Sequence, residues 1–88
     1  METEKLKMFM AVAETQSFTK AAERLFVSHS TVSRAVSELE NELGAALFER
    51  DNKVRGLTNA GKKLYSAAGE LISLADKLRN EIGNDGAE

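Results

Sequence analysis

The sequence of 88 residues contains no cysteine and no proline, and its single histidine is His29. Without cysteine, a disulfide framework and a thiolate metal site are excluded, and the chain fits a reducing compartment. Without proline, which breaks helix interiors, long helices are favoured. The apolar runs are only a few residues long, and the first residues, METEKLK, mix acids with lysines. We therefore expect neither a membrane-spanning segment nor a signal peptide.

Composition places the chain among globular proteins, with 42% hydrophobic and 30% charged residues in a length that suits one compact domain. The net charge of −2 at first argues against a nucleic-acid partner. The charge is uneven, however, because residues 16–63 hold eight bases and six acids, whereas residues 64–88 hold two bases and five acids. The middle of the chain can therefore present a weakly positive face.

Apolar residues recur at helical spacing in three segments before Gly44. The three predicted helices span about residues 4–15, 18–25 and 29–43. Thr3, Ser17 and Ser28 precede these segments, and we expect their side chains to cap the helix N-termini. Gly44 supplies the left-handed residue that ends the third helix.

The character of the sequence changes after Gly44, where ALFERDNKVRGLT contains two short segments around a turn-forming Asp-Asn pair. We predict a small β-hairpin over about residues 46–50 and 54–58. Thr58 is expected to cap a long final helix over about residues 59–82. The predicted units are a domain of three helices and a hairpin over residues 1–58, this helix, and a flexible tail over residues 83–88.

The final helix carries an apolar seam that steps alternately by three and four residues, as in a coiled coil. Its flanks are also apolar, so we expect one side to contact the helix's own domain and the other a second chain. The predicted dimerisation residues are Leu64, Ala68, Leu71, Ala75, Leu78 and Ile82. The alternative is that the whole seam belongs to the intramolecular core.

The second and third helices carry apolar residues at the spacing of a helix-turn-helix, namely Ala22, Leu25, Val27, Val32 and Val36. Ala22 is small enough for the third helix to cross closely above it, and Val27 fills the turn. This arrangement holds the third helix outward, and an α-helix fits the major groove of B-DNA. The spacing alone is weak support, because any packed pair of helices can imitate it.

The free side of the third helix carries short or forked hydrogen-bonding groups, on His29, Ser30, Thr31, Ser33, Arg34 and Ser37. Such groups can meet base edges and phosphates without holding the backbone away from a duplex. Glu38, Glu40 and Glu42 would repel phosphate, but they lie toward the end of the helix that points away from the groove. Two alternatives stay open: His29 as an ordinary surface histidine, and Arg34 as the ion-pair partner of Glu38.

The segment SFTKAAERLFVSHSTVSRAVSELENELGAALFER, followed by LTNAG, resembles the N-terminal DNA-binding domain of LysR-type transcriptional regulators. The resemblance extends from about Leu6 to Leu78. It implies a mostly α-helical fold, a winged helix-turn-helix of three helices and a β-hairpin wing, followed by a long linker helix that pairs two subunits. It also implies a cytoplasmic, nucleoid-associated transcription factor that binds double-stranded DNA as a homodimer, or as a tetramer in a full-length protein.

The resemblance assigns roles to individual residues. His29, Ser30, Ser33 and Arg34 fall where family members touch DNA. Ser17 and Thr31 fall where helix N-termini approach phosphates, and Arg50 and Lys53 fall on the wing beside the minor groove. The family usually has glutamine and proline in place of His29 and Ser30, so the operator half-site is expected to differ. Arg55 also stands where an apolar residue is usual, which shifts the alternation of apolar and polar residues in the wing.

The same sequence bears on other classes of function. One histidine and no cysteine leave few nucleophile–base pairs, so we expect no enzyme, no metal site and no cofactor. Family members carry an effector-sensing domain after the linker helix, so we expect no small-molecule ligand within these residues. The chain then corresponds either to an excised part of such a regulator or to a naturally shortened one. The competing hypothesis is an interaction module that pairs with full-length relatives and modulates them.

Overall fold

Four α-helices and one antiparallel β-hairpin make up residues 1–86, the part of the chain that this computed structural model describes. In chain order they are α1 (Thr3–Thr15), α2 (Phe18–Leu25), α3 (His29–Leu43), β1 (Phe48–Arg50), β2 (Val54–Leu57) and α4 (Asn59–Gly86). The predicted fold class, a winged helix-turn-helix followed by a long helix, is confirmed, and α2 and α3 have the predicted bounds. Within residues 1–86, no helix has the length and hydropathy needed to cross a membrane.

Side-chain caps explain where most helices begin. The side-chain oxygens of Ser17, Ser28 and Thr58 each accept a hydrogen bond from a backbone N–H three residues later, at 3.0–3.1 Å, which confirms three of the four predicted caps. Gly44 has a φ of 68° and ends α3, also as predicted. The cap by Ser28 sets the start of α3, so that only three residues separate it from the end of α2 at Leu25.

The N-terminus of α1 differs from the prediction, since Thr3 is not its cap. The helix begins at Thr3 itself, and the preceding Glu2 makes no side-chain capping bond. Thr3 is buried, and its hydroxyl oxygen accepts a hydrogen bond from Nη2 of Arg79 at 3.0 Å. The hydroxyl is therefore used to join α1 to the distant helix α4 rather than to cap α1.

The core contains apolar side chains from every element, and its largest fully buried members are Phe9, Leu6, Leu39, Leu47, Val12, Val32 and Val36. The predicted contacts between α2 and α3 are present, because Ala22 is buried beside Val32 and Val36 in one cluster. Leu25 and Val27 are half-buried against it. This packing covers one side of α3 and leaves its other side to solvent.

The hairpin contains a β-bulge that explains the irregular alternation of the wing sequence. Glu49 pairs with Gly56 and Arg50 pairs with Val54, so Arg55 is an extra residue on β2. Val54 is buried whereas Arg55 points to solvent. The strands are shorter than predicted, at Phe48–Arg50 and Val54–Leu57.

Helix α4 extends further than predicted, to Gly86 rather than Ile82. Residues 83–86, expected in a flexible tail, are helical, since a single interior glycine such as Gly83 costs only about 1 kcal/mol relative to alanine and no proline follows it. Residues 87 and 88 of the predicted tail lie outside the described part. At its start, α4 packs closely on the hairpin, because a Cβ at Gly61 would overlap the carbonyl oxygen of Leu47.

Candidate nucleic-acid interface

Helix α3 has one buried side and one polar side. Val32, Ala35, Val36 and Leu39 are buried in the domain. At 100° per residue, positions 29, 30, 33, 34 and 37 fall within an arc of 140° on the opposite side. His29, Ser30, Arg34 and Ser37 are exposed, and Ser33 is half-buried. Thr31, also half-buried, lies about 60° outside this arc. We call the five positions of the arc the polar face of α3, and the structure places five of the six predicted residues of this helix there.

An aromatic contact supports the orientation of His29. The ring of Phe18, the first residue of α2, lies 5.9 Å from the imidazole, centroid to centroid. Phe18 also contacts Phe48 in β1, at 6.2 Å. The imidazole therefore lies against a ring that links α2, α3 and the wing.

Hydroxyl groups cluster at the N-terminus of α3. The oxygen of Ser28 lies 3.1 Å from the hydroxyl of Ser30 and 2.7 Å from that of Thr31. It also accepts the backbone N–H of Thr31. The positive end of the helix dipole and these hydroxyls provide a place that favours a phosphate oxygen.

Arg34 has no ion-pair partner among residues 1–86. The alternative partner considered from the sequence, Glu38, instead forms an ion pair with Lys5 of α1, with Nζ and Oε2 2.5 Å apart. The hydrogen bond from Lys5 holds the pKa of the Glu38 carboxyl below its usual value. The guanidinium of Arg34 thus keeps all its donors available on the polar face.

A depression of about 400 Å³ separates the N-terminus of α2 from the tip of the wing. Ser17, His29 and Lys53 line it, so the structure brings three of the predicted residues together. Lys20 and Asn52 line it as well, and the sequence reasoning omitted both. The sequence does contain a signal for Lys20. This lysine lies three residues after the helix-capping Ser17, so its positive charge is close to the start of α2, where a phosphate is favoured.

Arg50 ends strand β1 of the hairpin, and its guanidinium makes contacts within the domain. Its guanidinium lies over the ring of Phe18, 5.3 Å from the centroid, and pairs with Glu40 at 3.1 Å. Glu40 also accepts the backbone N–H of Leu47. Arg50 therefore joins β1 to α3, and its contact with DNA stays a prediction. Lys53, at the hairpin tip, is exposed.

The seam of α4 divides between two environments. Leu64 and Ala68 are buried in the chain's own core, so their prediction as dimerisation residues is wrong: they pack against α1 and its neighbours. Ala75 is half-buried. The exposed apolar side chains further along are Leu71, Leu74, Leu78 and Ile82, which we call the leucine stripe. Leu74, absent from the predicted set, is the most exposed of the four, at 65%.

Two polar contacts fasten α4 to α1. Tyr65 donates its hydroxyl to Glu14 at 2.8 Å, and Arg24 of α2 pairs with the other carboxylate oxygen at 2.6 Å. This hydrogen bond with Glu14 raises the pKa of the Tyr65 phenol. The contact from Arg79 to Thr3 is the second fastening. Such contacts hold the stripe in a defined orientation relative to the polar face of α3.

The structure is that of a winged helix-turn-helix protein. Helices α2 and α3 are joined by a capped turn, α3 exposes its polar face, and the hairpin forms the wing. Residues 3–62 match the model of the family described as bacterial regulatory helix-turn-helix protein, lysR family, and the chain belongs to that family.

Relatives and solved structures agree with this assignment. The HTH-type transcriptional regulator HdfR of Escherichia coli O139:H28 is 42% identical over 84 residues, which cover 96% of this chain and 30% of HdfR. The chain thus spans about a third of that relative. The crystal structure of the CbnR_DBD–DNA complex has a TM-score of 0.84 and 35% identity, and the match covers the whole of both chains. The complex of BenM_DBD with benA site 1 DNA has a TM-score of 0.81 and 39% identity, over 96% of this chain and 98% of that one.

Proposed function

We propose that this chain is the DNA-binding part of a transcriptional regulator, which binds a specific double-stranded sequence as a symmetric dimer. The observation that carries the proposal is the polar face of α3, with Arg34 free of intramolecular ion pairs within residues 1–86. The likeness to CbnR_DBD and BenM_DBD, both solved with DNA, supports it. The role is one of binding rather than catalysis, in the cytoplasm.

In this proposal α3 lies in the major groove, which is wide enough to admit a helix. Arg34 offers a forked donor that suits the two acceptors of a guanine edge, and Ser33 and Ser37 offer hydroxyls that suit several bases. His29 and Ser30 lie at the leading end of the helix. Direct readout of base edges by these side chains supplies the specificity.

Phosphate contacts would position the domain on the duplex without reading the sequence. The N-terminus of α3 with Thr31, and the depression beside Ser17, supply the sites. Lys20 and Lys53 add positive charge on either side of that depression. Because the net charge of the chain is −2, binding depends on this local arrangement rather than on a general attraction.

The leucine stripe of α4 is proposed to pair with the same stripe of a second copy. A two-fold dimer presents two copies of α3, and its half-sites then lie on one face of the duplex, about one helical turn or a multiple of it apart. The fastening of α4 through Tyr65 and Arg79 would set this spacing. Tetramers of a full-length protein would join two such dimers.

The experiment that tests this function is selection of bound duplexes from a random DNA pool, followed by mobility-shift assays. We expect an inverted repeat to be enriched and to shift as a dimer complex. Because His29 stands where the family usually has glutamine, His29→Gln should alter the selected base at one position of each half-site. A pool that shows no enrichment after repeated rounds would contradict the proposal.

A second candidate is an interaction module that pairs through the leucine stripe with full-length relatives. The exposed stripe and the low net positive charge of the middle of the chain favour it. The two candidates differ in the mobility-shift assay. Specific binding of DNA by the purified chain alone excludes a purely protein-binding role.

A further inference from the structure

The arrangement of Arg34 and Glu38 is unusual for two opposite charges on one helix. They lie four residues apart on α3, a spacing at which such side chains are neighbours and form ion pairs. Here the carboxylate of Glu38 instead contacts Lys5, from the first turn of α1. Arg34 is left without a partner among residues 1–86.

The contact between Lys5 and Glu38 lies beside the polar face of α3. A shallow depression of about 190 Å³ between α1 and α3 is lined by the charged side chains Glu2, Glu4, Lys5, Arg34 and Glu38. Lys5 also lies 3.4 Å from Glu2, so it is held between two carboxylates. Arg34 is near enough to Glu38 to lower the pKa of its carboxyl, although less than Lys5 does. Lys5 and Arg34 therefore compete for one carboxylate.

We propose that Lys5 is a positioning residue for DNA recognition: by occupying the carboxylate of Glu38, it keeps the guanidinium of Arg34 free to contact the duplex. The inference rests on the proposed DNA-binding function and adds to it a residue outside the helix-turn-helix. Lys5 needs no contact with DNA in order to act in this way.

Loss of the Lys5 ammonium has two consequences in this scheme. Glu38 becomes free to pair with Arg34, and such a helical pair shifts an equilibrium roughly twofold. The carboxylate is also left as an unbalanced negative charge on the recognition helix, which repels phosphate. Together these effects should weaken binding of the selected duplex by about two- to fivefold in Lys5→Met.

The first test requires no DNA. The pKa of the Glu38 carboxyl is measured by NMR titration in the unmodified chain, in Lys5→Met and in Lys5→Met/Arg34→Ala. We expect the pKa of Glu38 to be lowered in the unmodified chain. In Lys5→Met it should still lie below the usual value, because Arg34 replaces Lys5 as the partner of the carboxylate. In the double variant it should have the usual value.

Because Arg34 already lowers the pKa of Glu38 in the unmodified chain, Arg34→Ala alone is measured as well, and the rise in pKa that it causes should be larger in the Lys5→Met background. Equal rises in the two backgrounds would overturn the inference, whether or not the chain binds DNA.

The second test measures the same competition through affinity, by fluorescence anisotropy on the selected duplex. Lys5→Met should weaken binding more when Arg34 is present than in an Arg34→Ala background, and Lys5→Arg should restore the affinity. Lys7→Met is the matched control, since Lys7 lies on the same helix and, within residues 1–86, pairs only with Glu4, at 3.4 Å. Equal losses in both backgrounds would mean that Lys5 acts through general charge alone, which contradicts the inference.

The two tests separate the inference from the function on which it rests. Failure of the unmodified chain to bind any duplex contradicts DNA recognition, while the NMR titration still decides whether Arg34 pairs with Glu38 once Lys5 is lost. Thermal unfolding of each variant shows whether a loss of affinity comes from unfolding. If Lys5→Met is unfolded, the affinity of Lys5→Arg is compared with that of the unmodified chain, because this variant keeps the positive charge and the fold.

Discussion

Replacement of Leu74 by alanine should weaken the dimer strongly, because this side chain is the most exposed member of the leucine stripe. Full burial of a leucine contributes about 1.5–3 kcal/mol. Leu74 is 65% exposed in the single chain, so a partner can bury about two thirds of it, worth roughly 1–2 kcal/mol. In a two-fold dimer each substitution counts twice, which gives about 2–4 kcal/mol, or a rise of the dimer Kd by roughly 30- to 1000-fold.

Sedimentation equilibrium over a range of protein concentrations measures this change in Kd. The matched control is Leu43→Ala, since Leu43 is also an exposed leucine, at 41%, but lies at the end of α3 outside the stripe. We expect Leu43→Ala to leave the dimer Kd unchanged. The reasoning is refuted if Leu74→Ala and the control dimerise alike.

Thermal unfolding at several protein concentrations gives a second readout of pairing through the leucine stripe. If the stripe does not pair two chains, any effect of Leu74→Ala on thermal stability should be the same at every concentration. If the stripe pairs two chains, the loss of stability depends on protein concentration, since dimer formation stabilises the folded state by mass action.

Three further predictions concern stability. Gly61→Ala should destabilise the domain by about 1–3 kcal/mol, measured by chemical denaturation, because the new methyl group overlaps the Leu47 carbonyl. Ser28→Ala should cost about 1 kcal/mol through loss of the α3 cap, with a lowered thermal midpoint as the readout. Hydrogen bonds from Arg55 lower the pKa of the Asp51 carboxyl in the folded state. The pair therefore stabilises the fold at a pH above the carboxyl's pKa in the unfolded chain, and this stabilisation is lost as the pH falls through the lower pKa of the folded state. Arg55→Ala should make the stability less dependent on pH in that range, which acid titration of unfolding measures.

Local sequence signals predicted the helices well because each signal acts within a few residues. Ser17 and Ser28 cap α2 and α3, and Gly44 ends α3, so the bounds of both helices follow from short-range hydrogen bonding. Helical periodicity likewise placed Val32 and Val36 in the core. The polar face of α3 follows from the same periodicity, since burial of one side defines the other.

Contacts between distant segments could not be predicted in the same way. The pairs Lys5–Glu38 and Arg50–Glu40 join elements whose relative placement depends on packing of the whole core. Periodicity shows which residues share a side of a helix but not which neighbour will cover them. For this reason Leu64 is predicted from the sequence to pair two chains, although it belongs to the core.

The bulge in the wing illustrates a third difficulty. Strand alternation alone places Arg55 on the same side as apolar residues, which conflicts with its charge. Insertion of one extra residue opposite Glu49 and Arg50 removes the conflict, because Val54 then points inward and Arg55 outward. A bulge depends on the partner strand, so the sequence of one strand does not reveal it.

The most direct test of DNA recognition by α3 compares the unmodified chain with Arg34→Ala and Arg34→Lys on the selected duplex and on a scrambled one, as a function of salt. We expect Arg34→Ala to lose about 5- to 150-fold in affinity for the selected duplex and less for the scrambled one, with a salt slope reduced by about 1. Arg34→Lys should keep the slope but lose specificity, because lysine lacks the forked donor. If affinity, specificity and salt slope are unchanged in Arg34→Ala, the polar face of α3 is not the surface that reads DNA.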